Sequence, residues 1–290
     1  MGLHVMPAIL ILSTWFTILF GAVELWRRLL HPNTETTRKA SHIASGLSAL
    51  IFPFIFNSSQ PVFILCVLSV VLMSAGKYAG ALRSVHGVAR QTYGTSYFPI
   101  AVFVIFWLSQ DQRAYYVISI LVLTLADASA ALIGKTYGTL QYSVEDDKKT
   151  LEGSFAFLTA TFLCVHVPLL LMTNVGRAEC VLVALIISIL VTGLEAISLE
   201  GADNLIIPLL TFYILRKITV QPLQEIIRQI GILALITVVI CATDAWRRSL
   251  RGIGFVGLIL LLYLDTCQMK KWQKSTVLSE DLRMLSLPGC

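Results

Sequence analysis

Four short clusters of charged and small residues interrupt an otherwise apolar chain. The first is Arg38-Lys39-Ala40-Ser41-His42, in which Arg38 and His42 are four apart and share a helix face. Cations at a helix entry can neutralise phosphate, and an imidazole can move a proton. Taken alone, the cluster fits a basic anchor with a snorkelling lysine equally well. The second runs from Asp127 to Gly138. Asp127 lies seven residues before Gly134 in an apolar helix, roughly 10 Å below its end at about 1.5 Å per residue. An ionisable group at that depth is costly and is a functional candidate by default, with a helix-tying ion pair as the alternative. Ala126, Ala130 and Gly134 beside it form a small-residue stripe that permits close approach.

The third cluster is Lys148-Lys149-Thr150-Leu151-Glu152-Gly153-Ser154, immediately before the next apolar run. A helix N-terminus with lysines suits phosphate, and Gly153 leaves room for a ligand; an ordinary helix start capped by Thr150 or Ser154 is the alternative. The fourth spans Leu194-Glu195-Ala196 and Asp203-Asn204-Leu205, ending at Pro208. Its carboxylate and amide oxygens suit Mg²⁺; a polar turn in which Asn204 caps the next helix is the alternative. Gly134-Lys135-Thr136 resembles the end of a phosphate-binding P-loop. The first glycine of that motif falls on Ser129, and a helix precedes it instead of a strand, so it is set aside.

The elements that must hold these clusters are membrane helices. Of 290 residues, 56% are hydrophobic and 13% charged, against about 25% charged in soluble domains. Candidate apolar segments are 5–23, 40–56, 61–76, 97–109, 114–134, 154–173, 179–199, 205–215, 226–243 and 252–264. The sequence thus predicts an all-α polytopic bundle of about 8–10 membrane segments, some short or re-entrant. Residues 5–23 read as a retained first span instead of a cleaved signal. The expected organisation is an N-terminal span and linker over 1–37, a core over 38–215, and C-terminal spans with a polar tail over 216–290.

The net charge is +5. Gaps 24–39, 77–96, 135–153 and 200–204 fall on one side and hold Arg27, Arg28, Arg38, Lys39, Lys77, Arg83 and Arg90. That side is expected to be cytosolic. Arg216 and Lys217 fall on the wrong side, so either 205–215 is re-entrant or a boundary is misplaced. All four polar clusters gather at the cytosolic side, as an enzyme with a cytosolic substrate requires. No clustered basic face with stacking aromatics suggests nucleic acid. The six cysteines show no paired spacing and read as small hydrophobes. His4, His31, His86 and His166, with Trp15 and Trp107, read as structural. The polar stretch Arg90, Thr92, Tyr93, Gly94 and Thr95 suits a headgroup without specifying chemistry.

In this order the clusters resemble the polyprenol kinase family: dolichol, phytol and farnesol kinases and the CTP-dependent diacylglycerol kinases. The resemblance runs from about Arg38 to Leu210. It rests on Arg38-Lys39-x-x-His42, Asp127 with Gly134, Lys149-Thr150-x-Glu152-Gly153-Ser154, and Leu194-Glu195-Ala196 followed by Asp203-Asn204-Leu205 and Pro208. It implies a helical membrane fold, CTP or a related NTP as donor, a lipid alcohol as acceptor and Mg²⁺. It also implies that Arg38, Lys39, Asp127 and Gly134 belong to the nucleotide site. Ala131 and Ala202 stand where some members carry a further acid.

The combined expectation is phosphoryl transfer. Arg38, Lys39, Lys135 and Lys149 offset phosphate charge, with Gly134, Thr150, Gly153 and Ser154 around the nucleotide. Asp127, Asp203 and Asn204, with Glu195, hold Mg²⁺; Asp127 or His42 is the base. The rivals are diacylglycerol as acceptor, a CDP-lipid-forming cytidylyltransferase, and, in another class, a transporter. The last would place its charges near the midplane of repeated halves.

Overall fold

The computed structural model describes residues 5–78, 94–144, 147–197 and 201–242. The expected segment 252–264, the polar tail and residues 145–146 lie outside them, as do Arg83, Arg90, Thr92 and Tyr93. The described helices are α1 (Val5–Leu30), α2 (Thr34–Ala49), α3 (Phe52–Ile55), α4 (Ser59–Tyr78), α5 (Gly94–Leu108) and α6 (Arg113–Tyr137), then α7 (Leu151–Met172), α8 (Arg177–Ile197), α9 (Asp203–Ile218) and α10 (Leu223–Ala242). The all-helical membrane class is borne out. Five helices, α1, α4, α6, α7 and α8, are long and apolar enough to cross a bilayer. One compact unit ends at Ile230, and the described residues beyond it, Gly231–Ala242, complete α10.

Two details depart from the expectation. The stretch between α6 and α7 is an antiparallel hairpin, β1 (Gln141–Val144) and β2 (Asp147–Thr150), with Tyr142 opposite Lys149. And α9 does not stop at residue 215. It continues to Ile218, where Thr219 Oγ1 meets Tyr115 Oη at 2.6 Å and Arg216 donates to the Leu108 carbonyl at 3.5 Å. Arg216 and Lys217 therefore stand at the end of the bundle where α5 finishes and α6 begins.

Burial ranks the helices. Half of the spanning window of α6 is buried but only 11% of that of α1, so α6 is the central post and α1 a peripheral one. α6 packs against α2, α5, α7 and α9. Tyr116, fully buried, donates from its hydroxyl to the Ala49 carbonyl at 2.9 Å and meets Phe106 edge-on at 5.6 Å; Ile118, Leu123, Phe157, Ile187 and Ile214 are likewise fully buried. Outward-facing Leu10, Ile11, Ile18, Phe155 and Leu171 are all more than half exposed. A continuous apolar exterior of that extent calls for lipid in place of water.

α6 is not uniform. Val122–Ala126 form one π turn, and Asp127 follows directly. A π turn inserts a residue into the ladder and leaves a carbonyl to find an outside donor, and such turns gather at functional sites. Here Leu123 O receives His42 Nε2–H at 3.0 Å. α2 can approach that closely because Gly46 faces Thr124, and a Cβ at Gly46 would overlap the threonine side chain.

Candidate active site

The polar clusters converge at one end of the bundle. α2 delivers Arg38, Lys39 and His42 to α6, where Lys39 Nζ meets Asp127 Oδ2 at 2.6 Å and His42 Nε2 lies 3.6 Å from the same oxygen. The hairpin carries Lys149 to the last turn of α8, where it pairs with Glu195 Oε1 at 2.7 Å and also contacts the Glu195 carbonyl. Asp203 opens α9 and accepts from the Asn204 N–H at 2.9 Å. The two pairs and Asp203 share one field: Asp203 senses Asp127, Lys39 and Lys149, and Glu195 senses Lys149, Asp127 and Asp203. Arg38 adds to the positive field on Asp127. Residues more than 160 positions apart thus form one cluster.

The charges balance unevenly. Asp127 and Glu195 each have a lysine in contact, but Asp203 has none among the described ion pairs. Burial pushes its carboxyl above the usual range and the Asp127 charge adds to this; Lys39, the Asn204 N–H and Lys149 offset it only in part. The cluster is therefore short of positive charge at Asp203. A hard divalent cation suits such an all-oxygen donor set. Among the described residues no three His, Cys, Asp or Glu side chains form a ready-made cage, so Mg²⁺ would rest on one or two carboxylates and complete its shell with substrate phosphates and water.

Local sequence explains the positioning. Gly201 has φ 80°, a conformation glycine adopts without strain, and turns the chain into α9. Asn204 is not a helix cap: that place falls to Ala202, while the Asn204 side chain packs on Gly94, where a Cβ would lie 2.6 Å from its Nδ2. Thr150 is the cap of α7 and accepts the Gly153 N–H at 3.1 Å. Glu152 folds back to accept from Thr139 N at 2.9 Å and Leu140 N at 3.1 Å, closing the base of the hairpin.

Not every expected residue faces the cluster. Gly134, Thr150 and Gly153 meet one another: a Cβ on Gly153 would stand 3.0 Å from the Ala130 carbonyl and 3.3 Å from Gly134 Cα. The space expected for a ligand at Gly153 is filled by α6, and the stripe Ala130–Gly134 is a helix crossing. Ser154 is engaged by Tyr142 Oη at 2.7 Å. Lys135 is exposed in the last turn of α6, about 12 Å along the axis from Asp127.

Beside the charges lies a half-open apolar cleft between α1, α2, α4 and α5. Arg38, His42, Gly94 and Asn204 line its polar head; Phe16, Phe52, Leu65, Met73 and Val102 line the rest. The His42 ring meets Phe98 edge-on at 5.0 Å. Phe16, Phe52 and Phe98 were missed in the sequence, because a lone aromatic in a membrane helix carries no mark that separates a cleft wall from a lipid face.

The phytol kinase of Synechocystis sp. is 29% identical to this chain over 211 residues, which are 72% of this chain and 90% of that protein. That similarity supports a relationship to the polyprenol and phytol kinases. No protein-family profile matches it, and no solved structure does. The four motifs named from sequence are the four that the fold brings to one end, apart from the glycine–threonine crossing that braces them.

Proposed function

We propose that the protein is a lipid alcohol kinase of the isoprenoid type, moving the terminal phosphoryl group of a nucleoside triphosphate onto the hydroxyl of a membrane isoprenoid alcohol. The observation that carries this reading is the abutment of two unlike surfaces: a cluster of cations and carboxylates at the head, and an apolar cleft that begins at the same His42. A lipid alcohol needs both, and its similarity to a phytol kinase supports the assignment. CTP is the expected donor by family resemblance.

In this reading the acceptor oxygen attacks the terminal phosphorus, the bond to the bridging oxygen breaks, and the nucleoside diphosphate leaves. Catalysis is positioning and charge stabilisation, so no covalent enzyme intermediate is required. Arg38, Lys39 and Lys149 take the phosphates, with both lysines exchanging their carboxylates for phosphate oxygens. His42 Nε2 is committed as a donor to Leu123 O, so its Nδ1 is the atom left to accept the hydroxyl proton. Mg²⁺, with Asp127 and Asp203 as principal ligands and Glu195 and Asn204 nearby, would neutralise charge on the transferring group. The site end coincides with Arg27 and Arg28 at the close of α1, so the nucleotide enters from the cytosol.

Purified protein incubated with each NTP, labelled separately at the γ-phosphate and the base, tests this against a panel of prenols. Label from the γ-phosphate on the lipid is the expected product. Label from the base on the lipid would make the protein a nucleotidyltransferase instead.

A further inference from the structure

Two arginines stand at the end of the bundle opposite Asp127, where phosphoryl transfer has no use for them. Arg113 opens α6 and Arg216 lies in the last turn of α9, both exposed. Arg113 precedes Asp127 by 14 residues, about 21 Å along the helix. Their contacts are neutral and long. Arg113 Nη2 donates to Asn57 Oδ1 at 3.4 Å, and Arg216 Nη1 donates to the Leu108 carbonyl at 3.5 Å. Neither has a carboxylate partner among the described residues, although Asp111 lies in the turn just before Arg113. A guanidinium fork suits phosphate oxygens better than a single amide or carbonyl, and the charge rule gives no reason to gather cations at this end.

Arg113 borders a cavity of about 60 Å³. Asn57, Ser109 and Gln110 supply the rest of its polar lining, and Pro53, Phe56 and Phe106 its apolar side. At about 30 Å³ per water it has room for two waters or for one phosphate group. Gln112, at the cap position of α6, makes no side-chain cap hydrogen bond, so the start of that helix keeps N–H groups for an outside acceptor. Two residues on from Asn57 and three back from Phe106, a second and more open groove runs between α4 and α5. Ser59 and Gln60 stand at its polar edge, and Phe63, Ile64 and Phe103 line the rest. Phe63 is 50% exposed, and its ring lies 5.1 Å from that of Phe103. Phe103 is five residues inside the end of α5, a depth of about 7.5 Å. Trp107, exposed in the last turn of α5, suits the headgroup level. Cationic cavity at the surface, apolar groove one turn below: that is the order of groups in a phospholipid.

We propose that this end of the bundle holds one anionic phospholipid of the leaflet opposite the charge cluster. Its phosphate sits in the cavity against Arg113, Asn57 and the start of α6. One acyl chain lies in the groove over Phe63 and Phe103. Arg216 adds positive field from α9, which selects a net negative headgroup over a zwitterionic one. This site is separate from the apolar cleft and does not rest on the kinase reading.

Full-length protein in neutral detergent is titrated with phosphatidylglycerol, phosphatidylcholine and inorganic phosphate, and followed by melting temperature and native mass spectrometry. Phosphatidylglycerol is expected to raise the melting temperature saturably and to remain as a single adduct. Phosphatidylcholine binds at least about tenfold more weakly, and inorganic phosphate gives no shift. Arg113→Gln removes a charge-assisted bond and weakens phosphatidylglycerol about ten- to hundredfold. Asn57→Leu, which fills the cavity from another element, weakens it to a similar degree. The shift produced by Mg²⁺ and NTP stays as in wild type in both variants, because they lie at the other end of α6. A variant that loses that shift is misfolded and the other one decides; the wild-type lipid preference decides if both are. Equal affinity for the two lipids, a shift with inorganic phosphate as large as with phosphatidylglycerol, or undiminished lipid binding in a folded variant overturns the site. A wild type that shows no shift with Mg²⁺ and any NTP counts against the kinase reading alone.

Discussion

The Lys39–Asp127 pair offers the sharpest separation of chemistry from architecture. The two groups meet at 2.6 Å and their side chains are 16% and 18% exposed. At an effective dielectric of about 20 their attraction is about 6 kcal/mol. Desolvating both groups offsets most of it, so the net coupling expected from a double-mutant cycle is about 1–3 kcal/mol. Asp127→Asn alone leaves Lys39 without its counter-charge and is expected to cost about 2 kcal/mol of stability, less than a fully buried pair because both groups touch solvent. Replacing both with apolar residues, Lys39→Met with Asp127→Leu, restores most of that stability. Activity should not follow. If both groups act on the triphosphate, the single and double variants all lose at least about 10³ in kcat/KM, about 4 kcal/mol of transition-state stabilisation. Thermal unfolding and γ-phosphate transfer measured on the same preparations separate the two readouts. A double variant within about fivefold of wild type would show that the pair only ties α2 to α6, and the site assignment would fall.

Other expectations follow from the same geometry. His42→Gln keeps an N–H donor for the Leu123 carbonyl, so folding should be preserved while kcat falls by about 10²–10⁴; unchanged kcat would remove His42 as the base. Lys149→Ala should raise KM for the NTP about ten- to hundredfold, the equivalent of about 1.5–3 kcal/mol for a charge-assisted bond, without moving KM for the alcohol; steady-state kinetics with each substrate varied will tell. Gly153→Val must push α7 away from the Ala130 carbonyl and Gly134, costing about 1–3 kcal/mol, visible as a lower melting temperature in detergent; a melting point equal to wild type would mean that the crossing is looser than described.

The membrane class was legible because apolar runs and their charge asymmetry act through composition alone, which local structure cannot disguise. The cluster was legible for a related reason. Asp127 in an apolar helix and Lys149 before another carry a desolvation cost, and that cost marks them before any fold is known. What sequence left open were properties of helix crossings. Gly153 reads the same whether a ligand or a neighbouring helix fills its empty face, and here α6 fills it. The π turn before Asp127 has no sequence signature; it is sustained by His42, which lies 81 residues from its acceptor Leu123. The cleft escaped notice because Phe16, Phe52 and Phe98 become informative only once their partners are known. Arg216 and Lys217 confounded the count of segments because α9 carries them to the end of the bundle where α5 finishes and α6 begins, against the charge rule that placed the other gaps.

The claim on which the rest depends is that nucleotide phosphates and a lipid hydroxyl meet beside Asp127 at the head of the cleft. Its most direct test is a structure of the protein bound to a bisubstrate conjugate, a prenyl chain joined through a polyphosphate to cytidine. The account predicts polyphosphate oxygens against Lys39 and Lys149 and a prenyl chain in the apolar cleft that Phe16 and Phe52 line. A polyphosphate bound away from Asp127, or a prenyl chain lying on the outer face of α6 and α7, would contradict it.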